Sequence, residues 1–348
     1  MPTRKGRYRV SASPHMDAVI AWVDGSDPAH HAKRMAAMRE AGLVDGDANF
    51  LAPTRFSDLG EIYYCIASIL KYAPFIRHIY VLGDAQQPAN LDEFARQNIC
   101  APDRIRFVDH RDLFRGYESY LPTFNSRTLE SMFWNIEDAA EYLLYFNDDF
   151  FLNGPVEFAN YVGPDGTLLL EGGYRSATKA IWKHRIRRWR YRLMGKGIVP
   201  TRYKMAQALA ADLLGKSRYF ALEHVPHPLR TRTLADYFDA HPEALRHQLS
   251  YKFRAPQQFL PYALSNEIEL MNGRAKEEKN RATVYLTPSD RMSQDELLRL
   301  LGDTRLRSGC IQSLDEFPEE RRTQLRAAMA EKLKGYLPEG IDWPDQQV

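Results

Sequence analysis

The chain has 348 residues, 44% hydrophobic and 26% charged, with a formal net charge of +2. This is globular composition, long enough to bury a core without disulfide staples, and it excludes a fibrous, disordered or disulfide-framework protein. Three scattered cysteines, Cys65, Cys100 and Cys310, form no CxxC pair, which argues against a zinc ribbon and sets the expectation of a reduced, cytoplasmic protein.

The basic start, MPTRKGRYRV, leads into no apolar run, so no signal peptide is expected, and no stretch is apolar for long enough to span a membrane. DAVIAWVDGSDP (residues 17–28) reads as a buried strand opening into turn chemistry. HHAKRMAAMREAG is helical and closed by Gly42, and GEIYYCIASILKY is a second helix ending before Pro74. IRHIYVLGD and RIRFVDH are strands, SRTLESMFWNIEDAAEY is a helix, and LLYFND is the strand after it. Strands and helices alternating up to about Gly154 predict an α/β fold with a Rossmann-like, doubly wound parallel sheet. Beyond it the pattern predicts a basic helical insertion, about residues 178–218, and a helical C-terminal part in which Ser293 caps a helix.

In parallel sheets ligands sit outside the carboxyl ends of the strands. Three strands here end in acids: Asp24 with Asp27, Asp84, and Asp148 with Asp149. Strand neighbours point to opposite faces, so Asp148 and Asp149 share a task only where the backbone turns. There they suit a hard divalent cation, Mg²⁺ or Mn²⁺, carrying a diphosphate; the alternative is two solvated acids before a turn. Gly25 in VDGSDP allows close backbone approach, and Asp24 and Asp27 can accept sugar or ribose hydroxyls. YLPTFNSRTLE places Asn125 at a helix N-terminus, with Ser126 as cap of a helix starting near Thr128 and an exposed Phe124 before it.

These segments make the chain recognisable. AVIAWVDGSDP, then RFSDLGEIYYCIASILKYAPFIRHIYVLGDAQQP through FVDHRDLF and LPTFNSRTLESMFWNI to LLYFNDDFFL, resemble the first two blocks of the Stealth family. EHVPHPL with YKFRAPQQF is similar to the third block, and SGCIQSLDEF to the fourth. The family comprises hexose-1-phosphotransferases of bacterial capsule synthesis, related to the lysosomal-enzyme GlcNAc-1-phosphotransferase of animals. The resemblance covers most of residues 17–335, leaving an N-terminal extension (1–16) and a C-terminal tail (336–348). It departs at Tyr63 and Ala67, where arginines are common, at Gln257 and Gln258, where an acid is usual, and in the fourth block, where Gln312 and Ser313 stand and Asp315 follows.

The resemblance implies transfer of a hexose- or hexosamine-1-phosphate from a UDP-sugar to a glycan hydroxyl, with release of UMP, in capsule or other surface polysaccharide synthesis. It assigns His224 as base, Arg254 as phosphate clamp, Asp148 and Asp149 as metal ligands, and Asp24, Gly25, Asp27, Glu61, Asn125 and Ser126 to the nucleotide-sugar. His224 is preferred to His227 because it matches the first histidine of the third block; Lys252 and Arg254 are expected on one face of a strand. A glycosyltransferase releasing UDP and a non-catalytic glycan- or polyanion-binding module are the competing readings. In KAIWKHRIRRWRYRLMGKG, Trp182, Ile186, Trp189 and Leu193 form one helical stripe among basic residues. The stripe suits packing on the core, contact with an anionic membrane or capsule-assembly complex, or guidance of an anionic glycan; no nucleic-acid motif accompanies it.

Overall fold

The structure, a computed structural model, describes residues 15–43, 56–195, 199, 202–279 and 282–341. Strand β1 (Met16–Ala21) is followed by α1 (Pro28–Glu40), α2 (Glu61–Tyr72), β2 (Ile76–Gly83), α3 (Glu93–Arg96), β3 (Ile105–Asp109), α4 (His110–Leu113), α5 (Ser126–Glu130) and β4 (Tyr142–Asn147). Next come β5 (Phe150–Leu152), β6 (Leu168–Ser176), α6 (Ala177–Leu193), α7 (Tyr203–Leu213), β7 (Arg218–Leu222), β8 (His227–Arg230), α8 (Thr231–Ala240), α9 (Pro242–Leu249) and α10 (Pro261–Met271). The chain closes with β9 (Ala275–Glu278), β10 (Val284–Leu286), α11 (Gln294–Gly302), β11 (Ser308–Ile311) and α12 (Glu319–Lys332).

The central sheet has the order β3-β2-β1-β4-β8. Its first four strands are parallel, and β8 runs antiparallel to β4. β1 and β4 are buried along almost their whole length, which explains their near-continuous apolar sequence. Helix α2 is buried from Ile62 to Leu70 and packs on β5 and β2, as expected of a helix apolar all round. Ala21 lies level with Leu82 and with Asn147, and Gly83 with Asp109, so the four strands release their chains along one edge. At the opposite edge Asp17, with no exposed surface, accepts from Arg77 Nη2 (2.7 Å) and from the amides of His78 (3.0 Å) and Ala140 (2.7 Å), tying three segments together.

Three expectations need correction. The helix expected over 126–142 stops at Glu130, followed by a single 3-10 turn at Phe133–Asn135. The Ser131 hydroxyl donates to the Arg127 carbonyl and the Trp134 indole N–H to the Ser131 carbonyl, and these side-chain bonds compete with the helical ladder. Residues 252–254 form no strand; Phe124 N–H donates to the Lys252 carbonyl and the Ala255 N–H to Gln258 Oε1, which holds this stretch as a turn. The C-terminal part is helical in α11 and α12, but β11 lies between them, pairing parallel with β10 and antiparallel with β5. A four-residue strand is too short to carry a readable period. Residues 178–218 hold α7 and nearly all of α6; residues 1–14 and 342–348 of the two terminal segments lie outside the described residues.

Candidate functional site

A cleft of about 550 Å³ opens over the carboxyl edge of the parallel strands. Of the expected site residues, Glu61, Asn125, Ser126, Asp148, Asp149, His224 and Arg254 line it, and so does Asp315. Asp24, Gly25 and Asp27 do not line it.

One wall is acidic. Asp148 and Asp149 occupy the two-residue turn between β4 and β5, and both line the cleft. The Asp149 N–H donates to Asp148 Oδ1 at 3.1 Å. β11 fixes Asp149 twice: Ile311 N–H donates to its carbonyl at 2.9 Å and the Cys310 thiol to Oδ2 at 3.3 Å. Glu61, at the start of α2, accepts the Leu59 N–H at 2.8 Å, and neighbouring Asp58 accepts that of Gly60 at 2.9 Å. Burial pushes these acids up: Asp58 and Asp149 to about 6, Glu61 to about 8 with Asp58 and Asp149 adding repulsion, and Asp148 well above the carboxylate range, with Asp149 and Glu61 adding to it. Asp149 Oδ1 is buried without a hydrogen-bond partner. An orphaned carboxylate oxygen within mutually repelling acids fits a hard divalent cation. Among the described residues no three His, Cys, Asp or Glu side chains converge as a closed cage; a magnesium site on one or two carboxylates, completed by phosphate and water, needs fewer.

The cleft lining also includes Arg254, whose Nη2 donates to Ser126 Oγ at 2.7 Å. Asn125, not Ser126, caps α5, its side chain accepting from Arg127 N–H at 3.2 Å; this corrects the expected cap and the expected start of that helix. The Asn125 amide donates to Gln258 Oε1 (2.8 Å) and the Tyr251 carbonyl (3.0 Å), so it orders the loop bearing Arg254. Gln258, wholly buried where an acid was expected from the resemblance, both accepts from Asn125 and donates to the Gln248 carbonyl at 3.1 Å, two roles an ionised acid lacks. Phe124 is buried rather than exposed, stacked on Phe253 with centroids 5.4 Å apart.

The two histidines separate. Because β8 runs antiparallel to β4, His227 pairs with Tyr145 and His224, three residues earlier, overhangs the carboxyl edge. His224 lines the cleft among the rings of Tyr203 (4.9 Å) and Tyr285 (5.9 Å), and desolvation lowers its pKa, favouring neutral imidazole. His227 is buried, stacked on Tyr262 at 4.7 Å, with its pKa pushed by burial down to about 3. We expect His224→Ala to cut turnover by roughly 10²-fold or more at unchanged melting temperature, as for a lost general base. His227→Ala should instead destabilise the fold by about 2 kcal/mol or more. Paired activity and thermal-melt measurements check both.

The VDGSDP loop performs local tasks. Asp24 accepts from Ser26 N–H (2.8 Å) and Oγ (2.6 Å), and Asp27 caps α1 through His30 N–H at 2.6 Å. Gly25 donates its N–H to the Phe56 carbonyl at 2.6 Å, and a Cβ there would meet Phe56 Cβ at 2.3 Å, so no larger residue fits without a shift.

Several lining residues escaped the sequence reading. Glu130 is buried, accepts from the Tyr145 hydroxyl at 3.2 Å, and is raised by burial against the pull of Arg254. Arg127, lowered by burial to about 10, donates to the Ala255 carbonyl at 3.2 Å and braces the Arg254 loop. Their adjacency in SRTLE was the available signal, obscured by the expectation of a long helix. His30 and His110 also line the cleft; His110 is buried, which lowers it to about 4.

Fold and cleft together define an α/β chain with a concave, charged cleft at the carboxyl edge of its parallel sheet, lined by Asp148, Asp149 and Glu61 and by Arg254 with Glu130 near it. Residues 14–42 match Stealth protein CR1, conserved region 1, and residues 55–169 match Stealth protein CR2, conserved region 2. The chain thus carries the Stealth conserved regions that its first 170 residues resemble. An exopolysaccharide phosphotransferase of Streptomyces coelicolor is 31% identical over 310 residues, 89% of this chain and 53% of that protein. Exopolysaccharide phosphotransferase CpsY of Mycobacterium tuberculosis is 28% identical over 98% of this chain and 61% of its own length. A capsular polysaccharide phosphotransferase of Actinobacillus pleuropneumoniae is 34% identical over 47% of this chain and 43% of its own. The chain therefore spans between 43% and 61% of the length of these relatives. Among solved structures, galactosyltransferase LgtC in complex with donor and acceptor sugar analogs aligns over 92% of this chain and 100% of its own, at a TM-score of 0.40 and 14% identity.

Proposed function

We propose that this chain is a sugar-1-phosphate transferase that moves a hexose- or N-acetylhexosamine-1-phosphate from a UDP-sugar to a glycan hydroxyl, releasing UMP, in the synthesis of a capsule or other surface polysaccharide. The observation that carries the reading is the meeting, in one cleft, of the Asp148–Asp149 pair, Arg254 and His224. The names of the relatives, exopolysaccharide and capsular polysaccharide phosphotransferases, agree with it.

On this reading the acceptor oxygen forms a bond to the sugar-proximal phosphorus, the phosphoanhydride bond breaks, and UMP leaves. Such transfers need in-line positioning and neutralised charge more than covalent help. Neutral His224 takes the hydroxyl proton. Arg254, held by Ser126, offers its remaining N–H groups to the phosphate oxygens. Asp148 and Asp149 would hold Mg²⁺ or Mn²⁺, which supplies further neutralisation of phosphate charge. Glu61 and Asn125 support the donor end, Glu61 beside the acid pair and Asn125 through the loop it orders. The free thiols of Cys65, Cys100 and Cys310 agree with work on the cytoplasmic side, where they stay reduced.

The test is to incubate the chain with UDP-GlcNAc, Mg²⁺ and a capsule-derived oligosaccharide, then identify the nucleotide released. UMP, matched by phosphodiester formation on the acceptor, is the expected result. UDP would make the chain a conventional glycosyltransferase and overturn the reading. Release of neither nucleotide across a panel of UDP-sugars and acceptors would favour the binding module.

A further inference from the structure

Helix α6 packs by one side only. Ala177, Ala180 and Ile181 meet Ala208, Ala211 and Tyr219 of α7 and β7, and His184 is buried beside them. At 100° per residue, Trp182, Ile186, Trp189 and Leu193 fall on the opposite side of the cylinder. That side faces outward: Trp182 is 61% exposed, Trp189 62% and Leu193 66%, with Ile186 half-buried among them, and an exposed Met194 follows at the helix end. The two indoles and Leu193 therefore do not pack on the core.

The flanks are cationic. Lys179, Lys183 and Arg190 border the stripe on one side, Arg185 and Arg192 on the other, and with Arg187 and Arg188 they bring seven cations and no acid to the helix. A soluble monomer does not gain by holding two indoles and a leucine in water between rows of arginine. A polyanion would engage the rows and leave the stripe wet. A lipid surface engages both: indole rings settle at headgroup level, leucine and methionine reach the acyl boundary, and guanidinium groups meet headgroup phosphates. Among the described residues no helix is long and apolar enough to cross a membrane, so the contact lies in the interface plane.

We propose that α6 docks this chain on an anionic lipid surface through the Trp182–Ile186–Trp189–Leu193 stripe and its basic borders. Docking sets the reaction cleft close to the bilayer. Arg188 of α6 shares a second cavity, of about 700 Å³, with Arg254, and Tyr203 at the start of α7 lines the catalytic cleft itself. The proposal is independent of which nucleotide the enzyme releases.

The experiment is co-sedimentation of the chain with vesicles of phosphatidylcholine, alone or mixed with phosphatidylglycerol, with tryptophan emission followed alongside. Binding is expected only to the mixed vesicles, with a blue shift and weakening by salt. The double variant Trp182→Ala, Trp189→Ala should lower partitioning by about tenfold or more. Arg185→Gln with Arg192→Gln should lower it by roughly tenfold. All four residues are exposed, so circular dichroism should report an unchanged fold. Binding indifferent to phosphatidylglycerol would overturn the proposal. So would a tryptophan double variant that binds as well as the parent while dextran sulfate displaces both, which would assign α6 to soluble polyanions.

Discussion

Asp148→Asn is expected to lower turnover by on the order of 10³-fold while raising the melting temperature, a combination that separates a site acid from a structural one. Asp148 is held well above its ordinary range by burial and by Asp149 and Glu61, so its negative charge strains the folded state. An amide relieves that strain and forfeits the charge that would hold a divalent cation. The pH dependence of stability follows from the same cluster. Each folded-state value lies above its unfolded one, so the stabilisation is fully present below about pH 4 and is lost as pH rises. The loss runs through about 6 for Asp58 and Asp149, then about 8 for Glu61. Without divalent cations the melting temperature should fall between pH 5 and 8, and more shallowly in Asp148→Asn. A pH series of thermal melts with the UMP-release assay checks both; a variant that melts lower and keeps turnover would remove Asp148 from the mechanism.

Arg254→Ala should lower kcat/KM by roughly 10²- to 10³-fold with little change in stability, and Arg254→Lys should recover only a small part. Among the described residues, Arg127 and Arg254 are the arginine and lysine side chains lining the cleft, and Arg127 is nearly fully buried with its Nη1 donating to the Ala255 and Gln258 carbonyls. The phosphate charge therefore falls to Arg254. Its Nη2 is anchored on Ser126, which aims the rest of the fork, whereas a lysine ammonium brings one point charge and no fixed plane. A Ser126→Ala variant with an intermediate loss would place the anchor in the same unit; full activity in Arg254→Ala would discard the clamp.

The first half of the chain was legible because its strands are buried on both faces and its breaks fall on Gly, Pro and Asp. Asp148 with Asp149 could be located by noting where β4 had to end. The long helix after Ser126 was misread because Ser131 and Trp134 intercept the ladder through side chains, which periodicity does not register. Asp24 and Asp27 sit in the expected loop, yet their carboxylates are engaged by Ser26 and by the start of α1. The Tyr203–Tyr262 pair and the bond from Arg127 to the Ala255 carbonyl join positions far apart in sequence and leave no local pattern. β11 was hidden for a simpler reason: four residues are two periods of a strand, and their significance lies wholly in what they touch.

That touch has a consequence for the order in which the molecule becomes competent. Cys310 binds Asp149 across 161 positions of chain. During synthesis the four parallel strands are complete once Asn147 has emerged, and α2 can already cover them. The segment that seats Asp149 arrives only after more than a hundred further residues, and closing so long a loop is an entropic cost met late in folding. The parallel strands can thus pair before the residues that seat the charge-bearing turn exist, whereas Asp149 gains its Cys310 and Ile311 partners only together with the C-terminal part of the core.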